Sequence, residues 1–225
     1  MQELLSKITI QVNSSIYLKD PNSSRLGKKI VSAGIDLIAD LGFEQFTFKK
    51  LGRFIESPEA SIYRYFESKH KLLLYITSWY WGLMEYQLVF SVANVSSPEE
   101  RLKKAIALLT GRLIETQDFP EINTYNLQSI LSNEASKTYL SKSVDDENKH
   151  GVFTDYKQIV ERVSNIILEI NPNYKFPHML VSTVVEGAHH QRFFADHLPR
   201  LTDVIDGEDA IQKFYIDLVL KTIRE

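Results

Sequence analysis

The densest group of potential metal ligands in this 225-residue chain lies near its end: Glu186, His189 and His190, flanked by His178 and His197. Glu186 and His190 stand one helical turn apart on one face, and carboxylate with imidazole is the donor set of zinc and di-iron proteins. The count falls short of that chemistry. A di-iron bundle takes a Glu-x-x-His element from each of two helices, and here there is one, Glu186 to His189. Satisfied polar residues at a subunit seam are the competing reading of these histidines. With no cysteine, the chain has no means to thiolate zinc, iron–sulfur, disulfide or cysteine-nucleophile chemistry. It contains no phosphate-cradling glycine loop, no Gly-x-Ser-x-Gly elbow and no His-Glu-x-x-His, so the residues argue against an enzyme and name no catalytic residue, metal site or cofactor.

A second concentration is of charge. Net charge is −3, yet residues 25–71 carry nine Lys or Arg against six Asp or Glu, while residues 72–225 carry fifteen against twenty-one. The N-terminal segment is therefore the electropositive one, with a modest attraction for phosphate. Hydrophobic residues at 44% and charged residues at 24% are globular values that supply a sizeable core. No leader pattern and no run approaching about 18 apolar residues is found, so the expectation is a soluble, cytoplasmic protein without a membrane partner.

The elements that must position these groups are helical. Ile8, Ile10 and Val12 alternate with polar residues, the period of a short strand, and Asp20-Pro21-Asn22-Ser23 closes this N-terminal arm. From Leu26 the period becomes three and four (Ile30, Ala33, Leu37, Leu41), ending at Gly42. Thr47 can cap a two-turn helix, with Phe46 and Leu51 as its hydrophobic staple. Ser57-Pro58-Glu59 starts another over residues 58–65, with the Ser57 hydroxyl as cap. Ser68 caps a fourth that runs on to about Phe90. Residues 47–66 thus read as helix, tight turn, helix.

Five or six helices follow. Ser97-Pro98-Glu99-Glu100 is a capping box before a stripe of Leu102, Ile106, Leu109 and Leu113. Residues 132–151 read as a weak helix and exposed loop, residues 153–170 as a helix ended by Asn171-Pro172-Asn173. Residues 176–196 and 209–223 form two closing helices whose apolar residues do not keep to one face, which implies burial on two sides. We place Val184, Val185, Ala188, His189, Phe214 and Leu218 at a subunit seam, since facing helices commonly make two-fold dimers.

The run from Leu41 to Leu73, LGFEQFTFKKLGRFIESPEASIYRYFESKHKLL, resembles the N-terminal DNA-binding domain of the TetR family of bacterial transcriptional regulators. The marks are Gly42-Phe43, Phe46-Thr47-Phe48, Leu51, and Ile62-Tyr63-Arg64-Tyr65-Phe66-Glu67-Ser68-Lys69 with Leu72 behind. The resemblance covers residues 25–75 without a gap. It departs from the family at Glu56-Ser57-Pro58, where Gly-Val-Ser is usual, at Gly52, where alanine is favoured and glycine costs roughly 1 kcal/mol of helix stability, and at Ala60, a frequent glycine.

The resemblance implies phosphate contacts at Thr47, Lys49, Tyr63, Tyr65 and Lys69, and base-reading positions at Glu59, Ala60, Ser61 and Arg64. The chemistry is consistent: hydroxyl and ammonium groups hold phosphate oxygens, and Arg64 can pair with guanine through two hydrogen bonds. Lys28, Lys29, Lys50, Arg53 and Lys71 are a mixture of solvated charge and diffuse phosphate attraction. The resemblance further implies an all-α architecture. After an arm over residues 1–24 comes a three-helix helix-turn-helix domain over residues 25–70, and then a larger effector-binding and dimerisation bundle over residues 71–225.

Its partners are then a double-stranded DNA operator, a small-molecule effector and a second copy of the chain, in a one-component repressor released from a palindromic operator by that effector. Trp79, Met84, Gln87, Tyr125 and Gln128 are the candidates for the effector site, Asn126 a further polar contact. The alternative is a helical small-molecule or metal-binding protein that does not bind DNA, with Glu186, His189 and His190 as its site.

Overall fold

The computed structural model describes residues 10–113, 119 and 121–224. Eleven α-helices account for most of these residues and no strand occurs among them. They fall into two compact units, residues 1–82 with 113–153 and residues 83–112 with 154–225.

In the first unit, α1 (Arg25–Leu41) is capped by Ser24, whose hydroxyl accepts the Gly27 N–H at 3.0 Å. Gly42 closes it with φ +74, a conformation that costs a Cβ-bearing residue roughly 1–2 kcal/mol. Thr47 caps α2 (Phe48–Phe54) by accepting the Lys50 N–H at 3.2 Å, and the staple residues Phe46 and Leu51 are fully buried. α3 spans Glu59–Tyr63, one residue later than the hydroxyl-cap reading required. Its N-cap is Pro58 with no side-chain cap bond, because the turn places the Ser57 backbone against α2. Ser68 begins α4 (Lys69–Val92), where residues 72–76 are all at most 1% exposed, as expected of a helix apolar all round. α6 (Thr124–Asn133) packs along α1, and α7 (Ser136–Tyr139) and α8 (Val144–Lys149) are short.

The expected N-terminal strand is corrected by the structure. Ile8 lies outside the described residues, and Ile10 and Val12 belong to no strand. Their chain instead forms two 3-10 turns, Ser14–Ile16 and Pro21–Ser23, each opened by an Asn13 or Asp20 side chain that accepts a backbone N–H. The apolar side of the period-two pattern is satisfied by burial: Ile10, Val12 and Ile16 enter the core of the unit.

The second unit contains the end of α4 with α5 (Pro98–Thr110), α9 (Thr154–Ile170), α10 (Pro177–His197) and α11 (Ala210–Thr222). α5 packs on α9 and α11, and α10 on both α9 and α11. Ser97 caps α5 as expected, and Asp209, expected as the first residue of the last helix, is the N-cap of α11. Leu113 falls beyond the end of α5 and is only half-buried. Among the described residues seven helices therefore follow α4, two of them short, where five or six were expected. Arg192, at 8% exposure, ties the unit together: its Nη2 donates to the Thr110 carbonyl at 2.6 Å and to both Asp209 carboxylate oxygens at 2.8 and 2.6 Å.

Candidate nucleic-acid interface

The turn between α2 and α3 sets the geometry of the helix pair. Glu56 occupies the left-handed region at φ 56, taking the conformation a glycine would adopt without strain. The Ser57 N–H then donates to the Gly52 carbonyl at 2.8 Å. This close approach accounts for Gly52: a Cβ there would stand 2.7 Å from the Ser57 carbonyl oxygen. Lys29 Nζ donates to the Ile55 carbonyl at 2.9 Å, binding α1 to the same corner.

Helical periodicity in α3 and the turn that follows it, Arg64 to Phe66, divides the residues by face. Ile62, Tyr65 and Phe66 point inward and are at most 3% exposed. Ala60 and Arg64 are exposed, and Glu59 and Ser61 half-buried. Tyr63 is 47% exposed while its ring meets that of Phe48 edge-on with centroids 5.0 Å apart, so packing and solvent access coexist in one side chain.

The residues expected to hold phosphate separate into two groups. Thr47 and Lys49 are exposed, and the Thr47 hydroxyl, which accepts a bond as a cap, still has its proton to donate. Lys69 Nζ donates to the Phe43 and Glu44 carbonyls at 2.8 and 3.0 Å and lies 4.6 Å from the Phe43 ring centroid, leaving one of its three N–H donors. Tyr65 is 3% exposed, and its hydroxyl shares a 2.7 Å hydrogen bond with Ser24 Oγ. Of the other basic residues, Lys50 donates to the Gln45 carbonyl at 2.8 Å and Lys71 pairs with Glu147 at 3.4 Å, while Lys28 and Arg53 are exposed.

Sequence reasoning missed Ser24 and Lys19. Leu18 N–H donates to the Tyr65 carbonyl at 2.8 Å, and Lys19 Nζ lies 5.2 Å from the Tyr65 ring centroid. The Ser24 hydrogen bond holds the Tyr65 hydroxyl below its ordinary pKa against the opposing effect of burial, helped by hydrogen bonding from Lys19 and by the charges of Lys19 and Arg64. The available signal was the cap residue Ser24, which fixes where the arm meets α1.

The candidates for the effector site are spread over both units. In the first, Trp79 is buried with its ring edge-on to Phe119 at 5.0 Å, Tyr125 is 69% exposed, Gln128 Oε1 accepts the Leu113 N–H at 3.0 Å, and Asn126 Nδ2 donates to Asp36 at 2.7 Å. In the second, Met84 is buried and Gln87 half-buried. Two open pockets of about 310 and about 530 Å³ lie in the second unit, and none of these residues lines either.

Of the seam candidates, Val184, Val185, Ala188 and His189 lie in the protomer's own core, whereas Phe214 and Leu218 are 57% and 37% exposed. His189 is held neutral by burial, its pKa pushed down to about 4. Glu186 accepts the Tyr156 hydroxyl at 2.9 Å, and His178 pairs with Glu161 at 2.7 Å. Among the described residues no three His, Asp or Glu side chains converge as a metal-ligand set. Nor is any described helix long and apolar enough to cross a membrane.

A short helix that exposes Ala60 and Tyr63 and leads into Arg64, backed by an aromatic core and braced by a preceding helix, has the geometry of a helix-turn-helix. Residues 30–76 match the model of the bacterial regulatory proteins of the tetR family. That segment is similar to the family's DNA-binding part, and the chain shares its fold with solved regulators of the family. A comparison with curated proteins finds no match.

Among solved structures, the fold is shared with the superantigen PfiT at TM-score 0.60 and 17% identity, covering 90% of this chain and 97% of that one. It is shared with AibR, solved with isovaleryl coenzyme A and operator DNA, at TM-score 0.54 and 16% identity over 84% and 94% of the two chains. The TetR-family regulator PfmR from Thermus thermophilus has TM-score 0.53 and 16% identity over 85% and 94%.

Proposed function

We propose that the protein is a dimeric one-component repressor that binds a palindromic operator through α2 and α3 and leaves it when a small molecule binds the helical bundle. The observation that carries the reading is the outer side of α3 and its C-cap, where Ala60 and Arg64 are exposed and Ser61 is half-buried, opposite the core that fixes Ile62 and Phe66. Small residues let a helix approach base edges closely, and a guanidinium reads guanine through two hydrogen bonds. Thr47, Lys49, Tyr63 and the remaining Lys69 donor hold phosphates. Glu59 faces a cytosine amine or serves the dipole of α3.

Two recognition helices are needed to fill successive major grooves roughly 34 to 36 Å apart. The partner copy docks on the outer faces of α10 and α11, where Met179, Thr183 and His190 are exposed with Phe214 and Leu218. An effector that prefers the arrangement with mismatched spacing lowers DNA affinity by the same factor that DNA lowers effector affinity. AibR was solved with both isovaleryl coenzyme A and operator DNA, which supports this pairing of ligands on one fold. In this reading residues 71–225 are the effector and dimer domain of a cytoplasmic protein.

The test is selection of the purified protein against random duplex DNA, followed by binding to the recovered sequence with Arg64→Ala alongside. We expect an inverted repeat and, for the variant, a loss of about 1–3 kcal/mol with relaxed preference at one base position. Recovery of no enriched sequence, with and without cell extract as a source of effector, refutes the reading.

A further inference from the structure

The family pattern assigns a phosphate contact to Tyr65, and the structure withdraws that hydroxyl from DNA. Tyr65 is 3% exposed and its oxygen is committed to Ser24 Oγ at 2.7 Å. Above it sits a residue from outside the pattern. Lys19 is exposed, makes no ion pair among the described residues, and holds its ammonium 5.2 Å from the Tyr65 ring centroid. We infer that Lys19, carried by the N-terminal arm onto the end of the recognition helix, contacts the DNA phosphate backbone in place of the Tyr65 hydroxyl. The inference rests on the DNA-binding reading and extends it to a segment outside the helix-turn-helix.

Three features make Lys19 a placed group rather than one more surface lysine. Its backbone is fixed on both sides, by the Leu18 N–H on the Tyr65 carbonyl at 2.8 Å and by the turn in which the Asp20 carboxylate accepts the Asn22 N–H at 2.8 Å. The first of these bonds is to the residue that follows Arg64, so the arm and the base-reading side chain share one anchor. Lys19 lies beside the Tyr65 ring and Arg64 is the C-cap of α3, so the two cations stand at the same end of that helix. The Lys19 ammonium lies against the aromatic ring and interacts with the Tyr65 hydroxyl, and of its three N–H donors at least two are available for a phosphate oxygen. Such contacts carry no sequence information and fix the register of a recognition helix on the duplex.

Phosphate attraction is independent of sequence, so a random duplex of about 30 base pairs serves as the probe beside the selected site. Affinity is measured over a range of monovalent salt for the wild type, Lys19→Gln, Lys19→Arg and Ser24→Ala. A single phosphate contact contributes about 0.9 to the slope of log K against log salt, equivalent to about eight-fold in affinity at 0.1 M. Lys19→Gln is expected to lower the slope by about one and to weaken both duplexes alike. Lys19→Arg keeps the charge and should keep the slope; Ser24→Ala, which loosens Tyr65 without removing a charge, should keep it too. An unchanged slope in Lys19→Gln overturns the inference, as does an equal fall in Ser24→Ala, which would make the effect one of Tyr65 position. Failure of the wild type to bind either duplex at any salt is the separate failure of the DNA-binding reading.

Discussion

Gly52 offers a case in which local and tertiary physics predict opposite signs. It lies inside α2, where replacing glycine by alanine normally stabilises a helix by about 1 kcal/mol. At this position the new Cβ would stand 2.7 Å from the Ser57 carbonyl oxygen and 3.3 Å from the Glu59 nitrogen. An ordinary contact begins near 3.4 Å, so the turn must retreat by about 0.7 Å. It has little freedom to do so, since the Ser57 N–H is bonded to the Gly52 carbonyl and the Ser61 N–H to the Pro58 carbonyl.

Overpacking of this kind costs about 1–3 kcal/mol. Set against the propensity gain, Gly52→Ala should be destabilising by about 1 kcal/mol. Urea unfolding followed by tryptophan fluorescence reads the correct part of the molecule, because Trp79 and Trp81 belong to the same compact unit as α2. The variant should also bind DNA less well, since the backbone that must move leads directly into α3. A stability gain near 1 kcal/mol with unaltered DNA binding would refute the reasoning and show that helix propensity outweighs the clash at the turn.

Two further predictions concern the second unit. His189 is buried neutral with a pKa of about 4, whereas an unfolded histidine titrates near 6.5. The unfolded chain therefore binds the extra proton between those values, and the histidine's contribution is complete above about pH 6.5 and lost as pH falls toward 4, on the order of 3 kcal/mol in all. Denaturation midpoints measured from pH 7 to 4.5 should fall for the wild type, less so for His189→Gln; parallel curves would contradict this. Arg192→Met keeps the aliphatic stem but leaves the Thr110 carbonyl and Asp209 without their guanidinium, which should cost about 3 kcal/mol. A loss below about 1 kcal/mol in urea unfolding would show that solvent replaces the bond.

The elements whose ends are written in local chemistry were legible in the sequence. Ser24 aside, the caps Thr47, Ser68 and Ser97 and the stop at Gly42 could be read residue by residue, because a capping hydroxyl acts within one turn. The outward face of α3 follows from the same local periodicity once Ile62 and Phe66 are inside. The arm was not legible. A period of two over Ile8, Ile10 and Val12 says only that one side is apolar, and burial in the unit's core satisfies that as well as pairing does. In α10 the apolar residues lie on more than one face, so no local rule chooses between Val184 and Met179 as the outer position. Packing against α9 and α11 makes the choice, placing Val184 in the core and Met179 at 68% exposure. The buried Arg192 was equally hidden, since its partners are 82 and 17 residues away in sequence.

Polar links within the first unit bear on how the proposed regulation would work, because they join the helix-turn-helix to α6–α8 at three places. Asp36 on α1 accepts from Asn126 on α6 at 2.7 Å; Glu134 accepts the Phe43 N–H at 2.9 Å beside the Lys137–Glu44 pair at 3.1 Å; and Glu147 on α8 meets His70 at 3.0 Å and Lys71 at 3.4 Å. Two of these grip α1 and the turn that leads into α2, and the third grips the start of α4 next to Lys69. An effector that displaces α6 then has bonds through which to turn the DNA-binding helices, and it can change DNA affinity only by as much as its own affinity differs between the two arrangements. Breaking a link should alter that coupling while leaving the exposed residues of α3 in place, so the proposed DNA-reading and signal-transmitting contacts should be separable by mutation.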